Sequence, residues 1–244
     1  MLIAEAVLLL ALDDDKGTLD SGAWMQIDST LGGALLVDLA LRGKVDVTGE
    51  SEPGLAPNGD PIKAGRVVIR DAVPTGDPDL DAALQRLAKV DGKKPGAVVP
   101  VAAKGARAAL TQRLVAAGVL SEQKGKVLGI FPRTSWPTAQ HGPEADLRAR
   151  IRAVLDQGVA PDPFTGCVIA LLKSAQILAV VFPTKDKKLR QSRDARAEQL
   201  NSAQGAGQWA VGATGAAVQA TMTAMAATAA ITASVAATTA ISAG

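Results

Sequence analysis

Residues 2–12 (LIAEAVLLLAL) are apolar on nearly every side, with Glu5 the only charge in the run. A helix without a polar face has no side to give to water, so it belongs at the centre of a helical bundle. Residues 27–42 (IDSTLGGALLVDLALR) repeat the pattern. Asp28 or Ser29 is the N-cap expected for this second helix, and Gly43 its stop. Two central helices need several outer ones to cover them, which sets the expectation of an all-α bundle.

The outer helices can be read from spacing. Asp77-Pro78 opens one, with Leu80, Leu84 and Leu87 at helical intervals. A second is expected over 100–117, with Ala106, Leu110, Leu114 and Ala117 on one face; Lys104 and Arg107, three apart, share a neighbouring face. Leu147, Ile151 and Leu155 mark a third. Residues 164–182 read as one near-continuous apolar helix, and 189–200 as a charged, solvated one. Gly17 suits a turn after the first helix, and Gly118 ends the 100–117 helix.

Strand signals are few. Residues 44–48 alternate polar and apolar and are expected to pair with 66–70, leaving 49–65 as a Gly/Pro-rich loop. Residues 119–136 read as a hairpin with Val127–Phe131 as its apolar arm and 132–137 as tip or exit. His141, beside Gly142-Pro143, reads as loop.

Composition limits the chemistry. Of the 244 residues 48% are hydrophobic but only 2% aromatic, so the core is aliphatic and helices must pack closely. The net charge is +2, from 26 basic and 24 acidic residues, without the excess that a nucleic-acid binder shows. An anionic partner must be met by a local patch. One cysteine, Cys167, in an apolar run, reads as core. The single histidine has no cysteine near it and makes no zinc site. Asp13-Asp14-Asp15 reads as a polar helix exit, and Asp77, Asp79 and Asp81 as a cap and a dipole-favouring first turn. No P-loop, dinucleotide fingerprint or catalytic triad pattern is present, so no enzyme and no cofactor is expected.

The first residues lack a basic segment and carry Glu5, so they do not read as a signal peptide; the cytoplasm is the expected compartment. Residues 1–204 read as one domain and 205–244 as an Ala/Thr-rich C-terminal helix or tail, with no charge after Glu198. From residue 209 on there is no Leu and no Phe, so membrane insertion would be weakly driven. A helix packed on the domain is the leading reading, beside a membrane span and a stripe that pairs with another copy.

Several stretches together resemble the Golgi phosphoprotein 3 family. They are 2–13 (LIAEAVLLLALD), 39–43 (LALRG), 71–77 (DAVPTGD) with Leu80-Asp81 and Ala83-Leu84, and Arg113-Leu114-Val115 with Gly118-Val119-Leu120. Order and spacing agree over roughly residues 1–200. The Ala-rich composition and 131–137 (FPRTSWP) resemble the bacterial branch.

The resemblance implies a helical bundle with a small β-hairpin. It implies a peripheral membrane adaptor that binds phosphatidylinositol 4-phosphate, holds cytoplasmic tails of membrane enzymes, and self-associates through its hairpin. The family's lipid site uses a Trp after the first helix, an Arg early in the next, and two Arg three apart on a later helix. These fall on Trp24, Gly32, Lys104 and Arg107, so one cation is missing and another is a Lys, which lacks the bidentate fork. The family's extended basic N-terminus has no counterpart, so coat-protein recruitment is not expected. Read from the residues alone, Lys104 and Arg107 also fit a solvated helix face, Trp24 a core or cap position, and Trp136 a second insertion residue. Lys185 to Arg196 form a second basic stretch, diluted by Asp186 and Asp194, that reads as solvated surface. The alternative function is a protein-interaction module of the same fold without lipid recognition.

Overall fold

The computed structural model describes residues 1–19, 23–48, 54–55, 61–127 and 131–202. Nine α-helices lie among the described residues: α1 Ile3–Ala11, α2 Ile27–Leu41, α3 Pro78–Leu87, α4 Pro95–Ala103, α5 Ala106–Ala116, α6 His141–Gln157, α7 Pro163–Ser174, α8 Leu178–Val181 and α9 Lys187–Asn201. Three two-stranded antiparallel sheets accompany them: β1 Val45–Val47 with β4 Val67–Ile69, β2 Gly54–Leu55 with β3 Pro61–Ile62, and β5 Gln123–Val127 with β6 Phe131–Ser135. The architecture is mainly all-α with a small hairpin.

Every residue of α1 is buried, as a helix apolar on all sides requires. It packs on α2, α5, α6 and α7, while α2 packs most extensively on α4. Buried leucines such as Leu8, Leu9, Leu35 and Leu36 form the core, and each contributes roughly 1.5–3 kcal/mol.

A helix end inside a core needs partners for its free N–H groups. Asp38 of α2 supplies them: Ile3 N–H and Ala4 N–H donate to its two carboxylate oxygens, each at 3.2 Å. Burial pushes the Asp38 carboxyl up to about 6 even so. Glu5, also buried, accepts from Leu2 N–H at 2.5 Å and pairs with Arg113 Nε at 2.8 Å. Arg113 holds Asp77 and Asp79 as well, at 2.6 and 3.3 Å, and so ties α5 to α1 and the start of α3.

The structure departs from the sequence reading at several points. The expected helix over 100–117 is two helices. Gly105 has φ +75, a left-handed turn that no α-helix can contain, so the chain bends between α4 and α5. The run over 164–182 divides in the same way into α7 and α8, at Gln176, whose φ is +60. The N-cap position of the second helix is Gln26, two or three residues ahead of the expectation, which leaves Asp28 and Ser29 inside its first turn. Within 49–65 the chain forms the β2–β3 pair. Val127, expected in one arm with Phe131, instead pairs across from it, and the second arm is 131–135. His141 opens α6.

Other expectations hold. Antiparallel pairing joins Val45 to Ile69 and Val47 to Val67. Asp77 caps α3, accepting from Asp79 N–H at 3.1 Å and Leu80 N–H at 3.3 Å. Cys167 is a core residue, its thiol pushed up to about 12 by burial. The Ala/Thr-rich segment 205–244 lies outside the described residues.

One close approach positions the hairpin. Gly17 turns the chain after α1 with φ +60, and a Cβ there would lie 2.1 Å from the backbone nitrogen of Pro137. Gly17 C=O accepts from Trp136 N–H at 2.8 Å, and Asp14 C=O accepts from Thr138 N–H at 3.0 Å. The base of the hairpin is thereby fastened to the exit of α1.

Candidate functional site

The exit of α1 leads into the segment before α2, and there the chain leaves two large apolar side chains in water. Trp24 is 60% exposed and Met25 57%. Ala23, just before them, is fully buried and anchors the loop. Trp24 is therefore a surface residue. Met25 was not singled out in the sequence, because an apolar residue beside a Trp reads as core.

Arg107, on the first turn of α5, reaches this loop. Its guanidinium carbon lies 4.9 Å from the centre of the Trp24 ring, a cation–π arrangement. Its Nε also stands 3.3 Å from Asp28 Oδ1, on the first turn of α2. Asp28 thus offsets part of the charge that Arg107 brings.

Lys104 is the C-cap of α4 and is exposed. Because the chain bends at Gly105, Lys104 and Arg107 do not share a helix face. They meet at a corner instead, lining a shallow recess of about 470 Å³ with Asp28, Ser29 and Pro100. The N-terminus of α5 faces this corner without a side-chain cap, which adds the positive end of a helix dipole to the two cations.

Gly32 lies one turn along the same face of α2 from Asp28, in the contact with α4. A Cβ there would sit 2.4 Å from Val99 O and 2.9 Å from the Ala103 Cβ. No cation can stand at residue 32 while these helices pack as they do, so the recess is built from two cations.

On the far side of Arg107 and Trp24 a groove of about 720 Å³ opens between α1, α5 and the hairpin. Leu8, Leu12, Leu19 and Trp136 give it an apolar floor, and Thr18, Thr111 and Gln112 a polar wall. Trp136 is half-buried and packed on the core, so it belongs to the groove floor and is not a projecting tip. Arg133, on β6, stands at the rim, exposed, and pairs with no carboxylate among the described residues. The nearby Glu122 is held by Lys124 at 3.3 Å. Arg133 lies far along the chain from Trp24, and nothing in its local sequence connects the two.

The remaining candidates resolve into structure. Asp13 caps its own turn, accepting from Lys16 N–H at 2.7 Å, which holds its carboxyl below the usual range. Asp81 binds the Thr75 hydroxyl and Asp71 the Lys44 ammonium, and both carboxyls are lowered by those bonds. Among the described residues no group of three or more potential ligands could hold a metal ion. In the basic stretch of α9, Arg193 is committed to Asp156 by two bonds of 2.7 Å. No described helix is long and apolar enough to cross a membrane.

No curated protein matches the chain. The family model described as Golgi phosphoprotein 3 matches residues 3–221, from the first residue of α1 to beyond the end of α9. With the match covering most of its 244 residues, the chain belongs to the Golgi phosphoprotein 3 family.

Proposed function

We propose that this protein is a non-enzymatic, peripheral membrane adaptor that docks on a phosphoinositide-bearing surface, with phosphatidylinositol 4-phosphate as its lipid. The observation that carries the reading is the pairing of exposed Trp24 and Met25 with the guanidinium of Arg107. Trp24 and Met25 enter the interface, where an indole is at home with its body among acyl chains and its N–H in water. Lys104 and Arg107, at the corner before α5, meet the phosphates by charge-assisted hydrogen bonds.

The binding is weak and reversible for a single copy. Each cation near an anionic surface contributes about 1 kcal/mol, and Asp28 withdraws part of that. A second copy, joined through the hairpin or the C-terminal segment, would raise avidity. Membrane attachment on the cytoplasmic side would place the adaptor beside the cytoplasmic tails of membrane enzymes, its expected clients.

Co-sedimentation with vesicles tests the reading. Vesicles carrying phosphatidylinositol 4-phosphate should retain the protein better than vesicles of equal charge made with phosphatidylserine, and added salt should release it. Equal retention on both would remove the headgroup assignment, and no retention on either would remove membrane docking. One feature favours a second reading, a protein-interaction module without lipid recognition: the carboxylate of Asp28 sits 3.3 Å from the principal cation. That reading predicts no response to any lipid and capture of protein partners alone.

A further inference from the structure

We infer that the groove between α1, α5 and the hairpin receives one acyl chain of an anionic membrane lipid, with Arg133 as an additional contact to its phosphate. The inference rests on the membrane-docking reading above and adds to it a hydrophobic subsite and a third cation.

Three observations converge. At about 720 Å³ the groove is within the range of roughly 300–1,000 Å³ found for sites that enclose small ligands. Its floor is apolar, with Leu8 and Leu12 buried beneath and Leu19 and Trp136 only half-buried, an arrangement that favours an apolar occupant. Its rim carries Arg107 on one side and Arg133 on the other, the latter without an ion pair among the described residues, while Glu122, the one carboxylate in the lining, is held by Lys124. An apolar trough beneath two guanidinium groups complements an amphiphile with an anionic head and a hydrocarbon tail. The exposed Trp24–Met25 pair brings bilayer lipid, and not a soluble peptide, to the mouth.

The arrangement also answers the loss at Gly32. A cation cannot stand at residue 32, and Arg133 supplies one from the hairpin. Its guanidinium can bind a phosphate in bidentate fashion, which Lys104 cannot.

Dioctanoyl phosphatidylinositol 4-phosphate below its micelle concentration and the chain-free glycerophosphoinositol 4-phosphate separate head from tail. Intrinsic fluorescence reads both titrations, since Trp24 and Trp136 line the groove. The chain-bearing probe should bind at least about tenfold more tightly, because burying even a few methylenes is worth that much. Gln112→Trp, at an exposed position on the groove wall, should fill the space and collapse that ratio toward one. Arg133→Ala should weaken both probes by about fivefold, the value of one cation at such a surface. Equal affinities in the unmodified protein, a ratio unmoved by Gln112→Trp, or tighter binding of an acidic apolar peptide than of either probe would each overturn the subsite. Vesicle binding with a ratio of one would sink only the groove. A high ratio without vesicle binding would sink the docking reading and leave the groove standing.

Discussion

Arg107 is held between two partners of opposite character: the face of the Trp24 indole, 4.9 Å from its guanidinium carbon, and the Asp28 carboxylate, 3.3 Å from its Nε. The stack keeps an exposed indole in place, and the carboxylate fixes the direction of the fork. Trp24→Ala and Arg107→Ala should each lower vesicle retention by about five- to tenfold, as the loss of an interfacial anchor or of one cation implies. Thermal stability should move little, by about 0.5 kcal/mol or less, because neither side chain is buried. A double-mutant cycle on vesicle binding should show the two losses to be non-additive.

Asp28 is the carboxylate set against the cation of the proposed lipid site. Asp28→Asn should raise the affinity for anionic vesicles by about fivefold, the equivalent of one charge at the surface. The gain should shrink as salt is added. An unchanged salt titration would mean that the recess does not face the headgroups.

Gly32 is a packing residue. Gly32→Arg should not restore a headgroup cation; it should force α2 and α4 apart at a cost of about 3 kcal/mol or more. A denaturation midpoint close to that of the parent would show that α2 and α4 do not meet as closely as 2.4 Å from a Cβ to Val99 O implies.

Arg113 should behave oppositely to Arg107, although both lie on α5. It stands among Glu5, Asp77 and Asp79, and Arg113→Met would leave these partly buried carboxylates without a cation. The expected loss is about 2–4 kcal/mol of stability, with vesicle binding of the folded fraction preserved. Circular dichroism melts and co-sedimentation on the same samples separate the two effects.

Asp38 confers a pH dependence of stability. Its carboxyl rises from 3.8 to about 6 on folding, because burial outweighs the two N–H donors. The folded chain therefore holds this proton more tightly than the unfolded chain. The contribution to stability is complete below pH 3.8 and is lost as pH rises through about 6. Relative to Asp38→Asn, which does not titrate, the unmodified protein should lose about 3 kcal/mol across that window. Urea melts of both proteins between pH 4 and 7.5 measure the difference. A constant gap would mean that the donors from Ile3 and Ala4 balance the burial.

The bundle was legible because its two central helices are apolar on all sides, a pattern with no other soluble use. The outer helices were legible by spacing, and the start of α3 by its cap at Asp77, but the breaks inside the longer runs were not. Ala106, Leu110 and Leu114 keep helical intervals that continue back past Gly105, and periodicity carries no record of a left-handed backbone angle. Asp28 looked like a cap because it is a good one; Gln26 precedes it and the helix begins there. Trp24, Lys104 and Arg107 were reached through resemblance, and their meeting at a corner was not. Met25 and Arg133 escaped notice for different reasons. The first is an apolar residue whose exposure depends on where the loop points. The second joins the site only through the fastening of the hairpin to α1.

That fastening depends on an absence. With no side chain at Gly17, the backbone of Trp136 and Pro137 lies where a methyl group would be. One jaw of the groove is thus set by a residue that no ligand would touch. A single carbon added there would pry the hairpin outward, widen the trough and carry Arg133 away from Arg107. Affinity for the proposed lipid would consequently be vulnerable at a distance, and a search for residues of that site by loss of function would find Gly17 among them.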